Sequence, residues 1–211
     1  MTRGRDAPAT AGEDAGATVG DMTAILLDAI RILLGDEDMA TMTMGTMVEP
    51  IVSEFREEVA TTRRVLERVP ANKLMWKPHP KSMTLGQLAW HIAAVPGRLG
   101  RIIQQESFDI TQGDFLPPQP NNIAEIMTEF AQSVRDGEHC LHEMTDQQAR
   151  GMWWLMRKDR QLLSRPRIEI VRTIMLNHWY HHRGQLSVYL RLLNVPVPVI
   201  YGRSADENPF A

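Results

Sequence analysis

Apolar residues recur at helical spacing in four stretches of this chain, and proline marks the breaks between them. Val52, Phe55, Val59, Val65, Leu66 and Val69 form one stripe, which predicts a helix over 48–68 that Pro70 stops. A second helix begins at Thr84, where Thr84-x-x-Gln87 reads as a capping box. Its inward face is Leu85, Leu88, Ile92, Val95, Leu99, Ile102 and Ile103. Pro96-Gly97 falls inside that pattern and predicts a kink or break over 93–96, which tilts His91 toward the last helix. Asn122, with Glu125 three residues on, caps a third helix through Ile123, Ile126, Met127, Phe130, Val134, Leu141 and Met144. Pro166 fits the first turn of a fourth, whose core positions are Ile170, Ile174, Leu186 and Leu190. Asn194 caps its end, and Pro196 and Pro198 prevent continuation. The expected fold is all-α, a four-helix bundle with long crossover connections at 70–83 and 106–120. Residues 145–163, which include Trp153-Trp154, read as a partly helical connection whose aromatic pair packs over a pocket or a dimer partner. The tail over 199–211 is expected to fold back on the body.

Before the first stripe the pattern changes. Residues 1–20 are rich in Gly, Ala, Thr and Asp and are expected to be disordered. Residues 22–35 fit a short amphipathic helix through Ile25, Leu26, Ile30, Leu33 and Leu34. Four methionines stand between Met39 and Met47. One reading places the true translation start in that run, so that the first 41 or so residues are an upstream extension. The other makes them an extra helix covering the bundle or a dimer partner. Residues 1–45 are therefore an N-terminal extension and 46–211 the domain.

Charge separates the same two parts. Residues 1–45 carry three Arg and eight acidic residues, whereas the rest holds 20 basic and 18 acidic residues. Neither part has the strong basic cluster of a nucleic-acid surface. Arg150, Arg157, Lys158, Arg160, Arg165 and Arg167 form a loose basic stretch read as a solvated face. No run of about 18 apolar residues is present, so no membrane span is expected. The best apolar run, over 24–34, is interrupted by Asp28 and Arg31 and does not make a signal peptide. A single cysteine, Cys140, excludes an internal disulfide and a cysteine-rich zinc cluster and fits a cytoplasmic location.

The chemistry concentrates late in the chain. Of seven histidines, three fall in Asn177-His178-Trp179-Tyr180-His181-His182-Arg183-Gly184-Gln185-Leu186. His178 and His182, four apart, lie about 40° from each other on one helical face, where two imidazoles can share a divalent ion. Gln185 and Tyr189 continue that face, and His181 leans about 60° the other way. His91, on the second helix, is a lone histidine on an apolar face and by itself reads as a core residue or as a ligand. His139 and His142 are three apart with no matching cluster, and His79 sits between two prolines in a loop.

These residues resemble a known family. His178-x-x-His181-His182-Arg183-Gly184-Gln185-Leu186, with Leu85-Gly86-Gln87-Leu88-Ala89-Trp90-His91-Ile92 upstream and Tyr201-Gly202-Arg203-Ser204-Ala205-Asp206-Glu207 downstream, is similar to the DinB/YfiT-like superfamily of metal-binding four-helix bundles. The resemblance covers 47–207. It implies a metal triad of His91, His178 and His182 and a homodimer; neutral imidazoles suit zinc, nickel or iron, and copper as well. It also favours a low-molecular-weight thiol as co-substrate, since relatives include thiol-dependent S-transferases and isomerases.

Three histidines leave coordination positions open, as in catalytic rather than closed structural sites. Two reactions fit: hydrolysis by an activated water, or attack of an activated thiol on a small electrophile. No Glu-x-x-His or His-Glu-x-x-His occurs, which excludes a ferritin-like di-iron site and a zincin protease. No general base stands out, and Gln185, His181, Arg183 and Tyr189 are candidates by helical geometry. Arg183 reads equally as a structural ion pair, Gln185 as a partner that orients a histidine, and Gly184 as the point where another helix comes close. The alternative function is a non-catalytic metalloprotein in which the ion ties the second helix to the last.

Overall fold

A computed structural model describes residues 46–210. The readings for residues 1–45 lie outside the described residues. Four long helices carry the domain: α1 (Glu49–Leu66), α2 (Leu85–Gln104), α3 (Ile123–His142) and α6 (His178–Leu192). α1 and α2 each pack against both α3 and α6. Pro50 and Glu49 open α1, where a missing N–H costs nothing and a negative charge faces the helix dipole. The capping box of α2 forms in full: the Gln87 N–H donates to Thr84 Oγ1, and the Thr84 N–H donates to Gln87 Oε1. Asn122 caps α3 through the Glu125 N–H. Asn194 ends α6 at φ 56°, and the Val195 and Asn194 amides return to the Leu190 and Arg191 carbonyls, both at 3.0 Å. Phe55, Leu66, Leu88, Ile92, Phe130, Leu186 and Leu190 are fully buried between these helices.

α2 runs unbroken through Pro96, and its neighbours explain why. Pro96 has no N–H for the Ile92 carbonyl, and the indole Nε1 of Trp179 donates to that oxygen at 2.9 Å. The Gly97 N–H donates to Ser133 Oγ at 2.8 Å. α3 also lies close enough here that a Cβ on Gly97 would stand 2.9 Å from Ser133 Cα. The proline strain is thus absorbed by contacts from both flanking helices.

The strictly all-α expectation needs correction. Residues 145–163 hold only one short helix, α4 (Asp146–Arg150). A hairpin follows, β2 (Met152–Arg157) and β3 (Arg160–Pro166), and β1 (Ser107–Asp109) joins β2 in parallel, giving the order β1-β2-β3. Trp153 is buried near the start of β2, Trp154, Leu155 and Met156 are half-buried, and Met152 and Arg157 at the strand ends stay exposed. The turn is Lys158-Asp159, with Lys158 at φ 54° and its N–H held by Asp109 Oδ2 at 3.0 Å. Arg167 also departs from the solvated face expected of it. Its guanidinium caps the end of α2, donating to the Ile103, Gln105 and Gln148 carbonyls.

The fourth helical stretch is not one α-helix. α5 (Arg167–Ile170) leads into a π-helical segment, Val171–Asn177, and only then into α6. Wider turns change the phase of the stripe. Val171, Met175 and Leu176 are buried, and Ile174, expected in the core, is half-buried. The tail folds back as expected: Glu207 pairs with Arg64 of α1 and with Arg68 just beyond its end, and Asp206 pairs with Arg191 of α6. No described helix is long and apolar enough to cross a membrane.

Candidate metal centre

His178 is the first residue of α6, directly after the π segment, and His182 follows one turn later. His91 faces them from α2. Among the described residues these three form the one histidine, cysteine or carboxylate cluster able to hold a metal ion, with one nitrogen from each within 4.8 Å of the others. His91 Nε2 and His178 Nε2 are 3.0 Å apart. The rings stand nearly perpendicular to one another, at 79–89°, with centroids 4.4–5.2 Å apart. Two nitrogens bonded to one ion at about 2.0–2.1 Å lie at most about 4.2 Å apart, so small ring rotations close this set around an ion.

The protonation states suit that role. Burial, reinforced by the neighbouring His182 and His178 and by Arg98, lowers His91 to about 3. Burial, then His182 and His181, lowers His178 to about 4. Burial also lowers His182, against a hydrogen bond to Gln185 that raises it. All three are neutral near pH 7 and offer lone pairs. His182 Nδ1 lies 2.8 Å from Gln185 Oε1. An amide oxygen only accepts, so this contact places the proton on Nδ1 and leaves the Nε2 lone pair free.

Trp179 and Ile92 are sequence neighbours of His178 and His91. Their hydrogen bond therefore sets the register of α6 on α2 beside two of the three histidines. The cluster opens on a cavity of about 430 Å³. Its walls come from α2, the π segment, the 106–120 connection and the sheet, through residues such as Trp90, Ile102, Phe108, Phe115, Trp153 and Ile174. Of the aromatic pair expected over a pocket or a dimer partner, Trp153 lines the cavity and Trp154 does not.

The other candidates separate. Gln185 orients His182. His181 is exposed and lies outside the cavity lining, its ring centroid 5.0 Å from that of His182. Arg183 is a buried structural cation: its Nη1 pairs with Glu58 Oε2 at 2.5 Å and donates to Thr62 Oγ1, and Nη2 donates to the Tyr201 hydroxyl. The Tyr180 and Tyr201 rings flank it, 5.2 and 5.1 Å from its guanidinium carbon. Tyr189 packs edge-on against Trp76 and donates to the Met83 carbonyl, outside the cavity lining. Nothing lies within 4 Å of where a Gly184 Cβ would be, so the close helix approach expected there is absent among the described residues. His139 and His142 are exposed, with His142 beside Arg56 and Glu138, and His79 is an exposed loop residue. The cavity walls contributed by Phe108, Phe115, Leu155 and Arg98 had no sequence expectation.

A family model for the DinB family matches residues 42–208. The chain belongs to the DinB family. The uncharacterized protein YrdA of Bacillus subtilis is 26% identical over 172 residues, which are 78% of this chain and 93% of YrdA. A DinB-like protein from Bacillus cereus, known from its crystal structure, is 25% identical with a TM-score of 0.58, over 74% of this chain and 98% of that one. The DinB-like protein YjoA of B. subtilis shares the fold at 18% identity and a TM-score of 0.57, over 74% and 99% of the two chains. Family membership and the three-histidine cluster are both compatible with metal binding.

Proposed function

We propose that this DinB-family chain is a divalent-metal-dependent enzyme acting on a small electrophile, by thiol-dependent S-transfer or by hydrolysis. The observation that carries the reading is the position of the cluster: three neutral imidazoles converge where a largely apolar cavity ends. Zinc, nickel or iron held by His91, His178 and His182 would supply Lewis acidity, lowering the pKa of a water or low-molecular-weight thiol at the open positions. The chain's own residues do the rest. Gln185 fixes the tautomer of His182, and Trp179 holds α6 in register with α2. The cavity walls receive the apolar body of the electrophile and exclude bulk water.

The alternative, a metal that only ties α2 to α6, has less to explain. The Trp179–Ile92 hydrogen bond already joins these helices, and the histidines face a cavity rather than closed protein. We keep a homodimer in the proposal, because α6 leaves Val188 and Leu192 exposed one turn apart beside the open Gly184. No nucleic acid or membrane partner is included, and a cytoplasmic location rests on the single free Cys140.

The test is metal content of the full, untagged chain and of His178→Ala, followed by thiol consumption with an added electrophile. About one transition metal per wild-type chain, lost together with thiol turnover in the variant, is the expected result. Absence of bound metal in both proteins, with no change in stability on adding zinc or nickel, overturns it.

A further inference from the structure

Among the described residues, the cavity beside the histidines is lined by one charged side chain, Arg98. It stands seven residues after His91 on α2, two turns along the same face and about 10 Å down the axis. Apart from the three histidines, its companions in the lining are aliphatic and aromatic residues and proline. Among the described residues, no carboxylate lies in that lining.

Arg98 differs from three charge-paired arginines of the helical segments. Arg101, one turn further on, pairs with Asp136 at 2.7 Å, Arg172 with Glu54 at 2.5 Å and Arg183 with Glu58 at 2.5 Å. Arg98 forms no such pair with any described carboxylate. Its polar contact is the Asp114 carbonyl, and the Phe115 ring lies 5.6 Å from its guanidinium carbon. A guanidinium has five N–H donors in a planar fork, so one carbonyl leaves most of them available to a ligand. A half-buried cation in apolar surroundings, with no counter-ion among the described residues, favours an anionic ligand group.

We propose that Arg98 is the anion-binding end of the cavity, and that the substrate is an apolar molecule carrying a carboxylate about two helical turns from its reacting atom. The placement of the reacting atom rests on the metal-site reading above; the carboxylate preference rests on Arg98 alone. The carboxylate would sit in the guanidinium fork, the apolar body would fill the space between α2 and the sheet, and the electrophilic centre would reach the histidines.

The experiment compares two probes of one shape, 2-naphthylacetic acid and its neutral amide, by titration calorimetry at pH 7.5. The full chain is used as purified and after metal removal, with Arg98→Met and Arg98→Lys beside it. The acid is expected to bind the wild type about tenfold or more tightly than the amide, with the ratio kept after metal removal. Arg98→Met is expected to bring the ratio near one while amide affinity stays within about twofold, and Arg98→Lys to keep most of the preference. Equal binding of both probes to the wild type, or binding of neither, overturns the proposal. So does a preference that survives Arg98→Met or vanishes with the metal. An amide affinity that collapses in Arg98→Met also overturns it, since Arg98 is then a prop for the Asp114–Phe115 segment. Metal content is read separately, so loss of the metal-site reading and loss of the Arg98 reading give different results.

Discussion

The indole of Trp179 donates to the carbonyl that Pro96 orphans, at Ile92. A proline inside a helix ordinarily leaves that oxygen without a partner, and here it becomes the point where α6 is keyed to α2. Trp179→Phe keeps an aromatic ring but removes the pyrrole half of the indole together with its donor. It is expected to destabilise the fold by about 1–3 kcal/mol, the cost of an unsatisfied buried acceptor. Pro96→Ala returns an N–H to Ile92, so the same tryptophan change should cost less in that background. A double-mutant cycle by urea unfolding measures the coupling, and strict additivity would show that the bond does not serve this purpose.

Gln185→Leu removes the acceptor that fixes His182 Nδ1. Metal affinity, read by competition with a chromophoric chelator, is expected to fall about 10- to 100-fold with the fold intact. His181→Ala, at an exposed neighbouring position, is expected to leave affinity within about twofold of wild type.

The metal-free protein should lose stability in mild acid. Burial holds His91 at about 3 and His178 at about 4 in the folded chain, while the unfolded chain takes up protons near 6.5. Between those values the unfolded state binds more protons, so stability rises with pH and falls as pH drops from about 6.5 toward 4. Unfolding midpoints across that window should decline in the wild type and decline less in His91→Gln/His178→Gln. Equal slopes in both would place the acid sensitivity elsewhere.

Arg183 is nearly inaccessible and its partner Glu58 is almost as buried. Arg183→Met leaves a buried carboxylate unpaired and is expected to cost about 3–5 kcal/mol. Pairing it with Glu58→Gln should recover part of that loss. Metal bound per folded chain should stay unchanged, as befits a residue that supports α6 from behind the site.

Gly97→Ala and Gly184→Ala should move stability in opposite directions. The first pushes a methyl group into the α3 backbone at Ser133 and is expected to cost about 1–3 kcal/mol. The second meets open space on a helix and should gain about 0.5–1 kcal/mol in the monomer. A dimer seen by light scattering in the wild type and weakened in Gly184→Ala would place a second copy over α6.

What the sequence made legible follows its local rules. The capping box at Thr84, the cap at Asn122 and the pair His178/His182 all depend on spacings within one turn, and each appears as read. Gln185 was legible for the same reason, three residues beyond His182. The hairpin was not. Its turn, Lys158-Asp159, lacks the Asn-Gly or Gly signal that marks tight hairpins, and its third strand comes from residues far away in sequence. Nothing local announced the π segment either, so Ile174 was assigned to the core when it faces the cavity. Arg98 lay on the His91 stripe, but a single arginine on an apolar face ordinarily reads as a side chain reaching for solvent.

The π segment has a further consequence for how this scaffold tolerates change. Its last residue precedes His178, while Ile174 within it forms part of the cavity wall. Removing one residue there would tighten the wide turns into ordinary ones and rotate everything upstream against a stationary histidine pair. Wall and histidines are thus separately adjustable, so the range of molecules admitted can be redrawn by one-residue indels that leave the three imidazoles where they stand.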